Sequence, residues 1–170
     1  MKKELIIKKM TVFYRGNVHD IEHFLKVYTY ASLIAKLEDL TPELTDTVEL
    51  AAIVHDIACP VCREKYGNTN GKYQEAESEA LMIPFLEEFN VPEGMKDRVI
   101  YLVSHHHTYE GVDGIDYQIL LEADYLVNAA ESGYTKAAIR EFYDKYAKTD
   151  SGRSLLESIY LKSDEAKQKF

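Results

Sequence analysis

Tryptophan is missing from this chain of 170 residues, cysteine occurs twice, proline four times and glycine eight times. So little proline and glycine excludes collagen-like and low-complexity chains, and a hydrophobic fraction of 46% excludes intrinsic disorder. The two cysteines, Cys59 and Cys62, form one close pair that cannot staple a chain of this length. A disulfide scaffold is therefore excluded and a cytoplasmic setting expected. No run approaches the ~18 consecutive apolar residues of a membrane span. The opening MKKELIIKKM has neither the long apolar stretch nor the small-residue site of a secretory signal. Basic residues are outnumbered, 20 against 29, for a formal net charge of −9. Gripping duplex nucleic acid needs a basic face, so that class of partner is not expected. A small phosphorylated substrate stays compatible, because a metal can supply positive charge locally.

What is present is helical patterning. The length suits one domain, and residues 1–170 contain neither an internal repeat nor a linker. Over residues 20–38, Ile21, Phe24, Leu25, Tyr28, Ala31, Ile34 and Ala35 recur at intervals of three and four. Thr41-Pro42 reads as an N-cap with proline at the first helical position. The helix that follows reaches Ala58, is apolar on nearly every side over 44–58, and should be central. Residues 59–71, with Pro60, Gly67, Asn68, Asn70 and Gly71, read as a loop. Helices are predicted at about 73–89, 93–106, 116–131, 135–147 and 154–168. Pro92 suits a start, Gly133 a stop, and Ser154-x-x-Glu157 a capping box. The expected fold is all-α, a single-domain helical bundle.

Three places put a charge where a hydrophobe belongs. His55-Asp56 interrupts Ala51-Ala52-Ile53-Val54 and Ile57-Ala58. Asp124 shares a stripe with Leu120 and Val127, whereas Glu122 falls off that stripe and should be solvated. His23 heads a stripe continued by Val27, Tyr30, Ala31 and Ile34. Taken singly, an inward histidine reads as a hydrogen-bonded core group and an inward aspartate as a capping or ion-paired one. Taken together, two histidines and two aspartates from three helices also compose a donor set for one divalent ion. Imidazole with carboxylate suits Mn²⁺, Fe²⁺, Co²⁺, Ni²⁺ or Zn²⁺, and bundle cores commonly house such sites.

The ordered set His23-x-x-Lys26-Val27, His55-Asp56 at the end of a hydrophobic helix, and Ala123-Asp124-Tyr125-Leu126 resembles the HD-domain phosphohydrolase superfamily. The resemblance runs from about residue 19 to 130 and leaves the C-terminal helices, 135–168, outside it. It implies an all-α HD-type domain with one divalent metal (Mn, Fe, Co, Ni, Zn or Mg) held by His23, His55, Asp56 and Asp124. It also implies hydrolysis of a nucleotide or another small phosphate ester. Two positions depart from the family pattern. Lys26 stands where arginine is usual, which keeps the charge and loses the bidentate fork. Cys59 stands where some nucleotidase members carry glutamate.

His106 continues the stripe of Val99, Leu102 and Val103 and should face inward, with His105 beside it. His107 reads as a helix C-terminal histidine favoured by the dipole. Members of the family with two metals resemble this chain in having a histidine pair at this stage. No histidine lies within residues 57–104, however, and Gln74, Glu75 and Glu77 are the candidates for metal-facing groups there. That favours one metal, with His105 and His106 on the phosphate or on a bound water. In this reading Asp56 holds the attacking water, His105 or His106 neutralises developing charge, and Lys26 assists. Arg63, Lys65 and Lys72 could meet an anionic substrate, and Tyr109 and Tyr117 could stack on a base. The Cys59-Pro60-Val61-Cys62 spacing resembles redox and zinc-ribbon pairs, but the second pair and the βαβ setting those need are lacking. The duller reading is two semi-buried thiols at a helix end. The rival function is a non-catalytic sensor that binds metal and nucleotide without turnover.

Overall fold

The computed structural model describes residues 2–162. Among them there are helices and no strand. In chain order the helices are α1 (Lys3–Phe13), α2 (Val18–Leu37), α3 (Pro42–Val54), α4 (Cys59–Tyr66), α5 (Gly71–Glu87), α6 (Glu93–Val103), α7 (Ile115–Glu131), α8 (Lys136–Lys145) and α9 (Asp150–Leu156). A π turn at Glu157–Leu161 follows. The all-α expectation holds.

Caps set where the central helices begin. Asn17 accepts from the Asp20 N–H to start α2, and Thr41, with Pro42 behind it, accepts from the Leu44 N–H to start α3. Helices α2, α3 and α7 pack on one another as the middle of the molecule, with α6 against α3 and α5 against α6. Every residue of α3 from Thr47 to Val54 is buried, as the all-round apolar run predicts. Asp116 to Val127 of α7 are also buried throughout. One apolar core joins Ile6 and Met10 of α1, the middle helices, Ile139 and Phe142 of α8, and Leu156 of α9.

The central helix stops sooner than its composition suggests. It ends at Val54, and residues 55–58 form turns before α4. Pro60 has no N–H to extend the ladder. The Asp56 carbonyl, which that N–H would have met, instead accepts from the Cys59 N–H and the Tyr14 hydroxyl. His55 and Asp56 therefore leave the helix axis at its buried end.

Several expectations need correction. The stretch 59–71 is not all loop, since α4 occupies Cys59–Tyr66 and closes on Gly67 in the left-handed region. The last helix begins at Asp150, capped by Thr149 onto the Gly152 N–H, and not at a Ser154 capping box. The part of that predicted helix beyond 162 lies outside the described residues. Glu122 is fully buried rather than solvated. Gly133, with φ of 63°, ends α7 as expected. No helix among the described residues is long and apolar enough to cross a membrane.

Candidate metal centre

His23 comes from the first turns of α2, His55 and Asp56 from the turn after α3, and Asp124 from the middle of α7. The packing of those three helices brings the four side chains together. His23 Nε2 lies 3.2 Å from His55 Nε2 and 3.2 Å from Asp124 Oδ1. Asp56 Oδ2 is 3.5 Å from both imidazole Nε2 atoms, and Asp124 Oδ1 is 3.5 Å from His55 Nε2.

The outer sides of the rings decide what the inner sides can offer. His55 Nδ1 donates to the Ala52 carbonyl at 2.9 Å, and His23 Nδ1 donates to Glu131 Oε2 at 2.7 Å. A carbonyl and an ionised carboxylate only accept, so each neutral imidazole keeps its proton on Nδ1 and presents a lone pair at Nε2. Two lone pairs and two carboxylate oxygens thus converge with no donor among them. They repel unless a cation or a proton sits between. Ligand atoms held about 2.0–2.2 Å from one ion lie roughly 3.0–3.6 Å from each other, which matches the spacing found. The donor set therefore fits a divalent ion.

Without an ion, protons take that place. Burial alone would lower the pKa of His23, but the hydrogen bond to Asp124, the charges of Asp56 and Asp124 and the bond to Glu131 raise it to about 10. Burial would raise Asp124 and Asp56, yet the histidines facing them hold both carboxyls well below the usual range.

A second group adjoins the first. His106 is 1% exposed, donates from Nδ1 to the Val103 carbonyl at 2.7 Å, and turns Nε2 to within 3.6 Å of Asp56 Oδ1. Asp56, His106 and His107 are close enough together to hold an ion of their own. The Nε2 atoms of His106 and His107 are both buried without a hydrogen-bond partner. His107 owes its place to Gly71, because a Cβ there would lie 2.6 Å from the His107 ring. Burial and the neighbouring His106 push the His107 pKa down to about 4, so this ring is neutral. His106 is displaced the other way: burial lowers its pKa, and Asp56 more than offsets that.

Five residues stand elsewhere than the sequence suggests. His105 turns away from the centre, donating to the Tyr101 carbonyl at 2.7 Å and stacking on the Tyr101 ring. Its neighbour His107 enters instead. The helix has ended at Val103, and residues 104–107 form turns, so successive histidines point to different sides. Lys26 is half exposed and binds Glu131 Oε1 at 3.1 Å, behind His23 rather than facing the cavity. Tyr117 is buried, and its hydroxyl donates to the carbonyls of His105 and Thr108. Glu75 and Glu77 also stay out of the centre. Glu75 accepts from the His107 N–H and the Thr108 hydroxyl, and Glu77 accepts from Lys65 and Tyr66.

The centre forms the floor of a cavity of about 290 Å³, bordered by His19, Asp20, Cys59, Arg63, Tyr109 and Tyr134 among others. Asn128 joins the site by donating to Asp124 Oδ1 at 2.8 Å. Asn128 and Glu131 lie four and seven residues after Asp124, and His19 four before His23, so helical period alone could have found all three. A larger groove of about 610 Å³ lies between α1, α2 and α3. Its buried Glu49 is already satisfied by Lys3 and Ser32, so it offers no free donor set.

A family model for the HD domain matches residues 20–129, more than half of the chain. The chain belongs to the HD-domain superfamily. The match opens with α2 and closes within α7, the two helices that bracket the centre, and it leaves α8 and α9 outside the HD domain. No curated protein and no solved structure matches the chain.

Proposed function

We propose that this HD-domain protein is a metal-dependent phosphohydrolase acting on a nucleotide or another small phosphate ester. His23, His55, Asp56 and Asp124 would hold one divalent ion. The observation that carries this reading is the convergence of two Nε2 lone pairs and two carboxylates with no donor between them. A bound ion there polarises a phosphoryl oxygen and lowers the pKa of its water.

The chain's own residues supply the rest. Asp56 is two-faced: Oδ2 points to the histidines of the centre and Oδ1 to His106. It can hold a water with the oxygen that faces His106 and accept its proton. His106, whose Nε2 faces Asp56 across 3.6 Å, would meet negative charge as it develops on the phosphoryl group. The neutral His107 ring borders the same space.

Two observations favour second readings. The Asp56–His106–His107 group supports a second ion that shares Asp56. Cys59 supports a sensor without turnover, because burial and nearby Asp56 hold its thiol protonated where the resemblance to nucleotidase members of the family would lead one to expect a carboxylate.

The test is a panel of phosphate esters with added Mn²⁺ or Co²⁺ on the wild type and on His106→Ala. The wild type should release phosphate, and His106→Ala should lower kcat by roughly 10²-fold with metal content still near one per chain. Metal and nucleotide binding with no turnover across the panel would establish the sensor. Loss of a whole equivalent of metal from a protein that began with two would establish the second ion.

A further inference from the structure

Of the three cations that the sequence places after His55-Asp56, two do not border the cavity. Lys65 binds Glu77 at 2.5 Å, and Lys72 is exposed away from the cavity wall. Arg63 does border the cavity, and among the described residues lining it Arg63 is the one lysine or arginine. Its guanidinium is held in a bidentate pair, with the two terminal nitrogens 2.6 and 2.8 Å from the two oxygens of Asp20. Asp20 is buried, whereas the Arg63 side chain is 42% exposed.

We propose that Arg63, oriented by Asp20, is the anion clamp of this cavity, and that the cavity takes esters carrying a single phosphate group. This rests on the metal-centre reading above. A guanidinium has five N–H donors, and Asp20 uses two of them. Among the described residues no other protein group accepts from Arg63, and its side chain borders the cavity. Because Asp20 fixes the plane of the guanidinium, little side-chain entropy is lost when a phosphate oxygen docks on its remaining N–H groups. Pinning α4 to α2 would not by itself require a half-exposed arginine at the edge of a polar cavity.

Charge balance limits what else can enter. Asp20, Asp56 and Asp124 bring three negative charges to the lining, and Arg63 with one divalent ion would bring three positive ones. The lining is then neutral before substrate enters, and a single phosphate adds roughly two negative charges. A second or third phosphate would meet no further cation. Lys26, which does not line the cavity, is held by Glu131 and Glu22.

The experiment titrates inorganic phosphate into the Mn²⁺-loaded full chain by calorimetry and compares a nucleoside monophosphate with its triphosphate as substrates. Arg63→Lys keeps the charge and loses the fork. Asp20→Asn combined with Arg63→Gln keeps a neutral hydrogen-bonded pair, so the fold is not left with a buried unpaired carboxylate. In both variants phosphate affinity should fall roughly tenfold or more, the size of a lost charged hydrogen bond, with Mn²⁺ affinity unchanged. KM for the monoester should rise more than kcat falls, and the triphosphate should be the poorer substrate by a large factor. Wild-type phosphate affinity in both variants, no phosphate binding by the loaded wild type, or preference for the triphosphate would overturn the clamp. A purely structural role would lower thermal stability and leave phosphate affinity in place. Failure of the wild type to bind Mn²⁺ would instead sink the metal centre. Phosphate titrated into the metal-free chain would then still show whether Arg63 grips it.

Discussion

The imidazole of His23 is held between two carboxylates that do different work. Asp124 faces Nε2, where a metal would sit, and Glu131 takes the proton on Nδ1. Glu131 is itself steadied by Lys26, so a chain of contacts runs from solvent through Lys26 and Glu131 to the ring. A carboxylate behind a ligating histidine fixes the tautomer and makes the ring a stronger donor to metal. This gives Lys26 a role as support for a positioning group, in place of the contact with substrate that its sequence position suggested. Replacing Glu131 with glutamine keeps an acceptor and removes the charge. Mn²⁺ affinity of Glu131→Gln, measured by calorimetry, should fall roughly 10- to 100-fold while helicity is retained. Unchanged affinity would mean that Glu131 only packs against His23.

At the scale of helices, period and context were legible in different measure. The stripe headed by His23 faces inward as its spacing predicts, because α2 is buried along one side, and Asp124 faces inward on a helix buried all round. Glu122 broke the same rule for a physical reason. Helix α7 is buried on every side, so leaving one stripe does not lead to water. Helix α4 was hidden by the glycines and asparagines that follow it, although Pro60 suits a first turn. His105 and His107 trade places against the sequence reading because α6 ends at Val103, before the histidine run, and period no longer applies past that end.

The buried Glu122 earns its position through α9. It accepts from the N–H groups of Lys148 and Thr149 at 2.6 and 3.0 Å, from Gln118 at 2.7 Å, and from the Thr149 hydroxyl. One carboxylate thus ties α7 to the segment that starts α9. The approach is so close that a Cβ at Gly152 would overlap Glu122 Oε2. Glu122→Ala would leave several buried donors unpaired, and each such group costs about 1–3 kcal/mol. The variant should lose on the order of 3 kcal/mol in urea unfolding while its Mn²⁺ affinity stays at the wild-type value, since this clamp lies outside the metal centre. A loss of metal affinity of similar size would show that α9 supports the centre after all.

Across the whole molecule, the acidic composition and the metal reading are two sides of one arrangement. A chain with a net charge of −9 has little general attraction for phosphate, so any affinity for a phosphate ester has to be local. The pattern of His23, His55, Asp56 and Asp124 was readable because each sits at a regular interval on an apolar stripe or at the end of one. What period could not give was the residues that other elements bring in, because Arg63 on α4 and His107 after α6 reach the centre only through the way separate helices meet. The measurement that bears most directly on the account is the divalent metal content of the purified full chain, by elemental analysis and by Mn²⁺ titration, beside Asp56→Ala and Asp124→Ala. Near one tightly held equivalent in the wild type, lost in both variants while their circular dichroism stays helical, is the predicted result. Full occupancy in the variants, or no binding by the wild type, would contradict it.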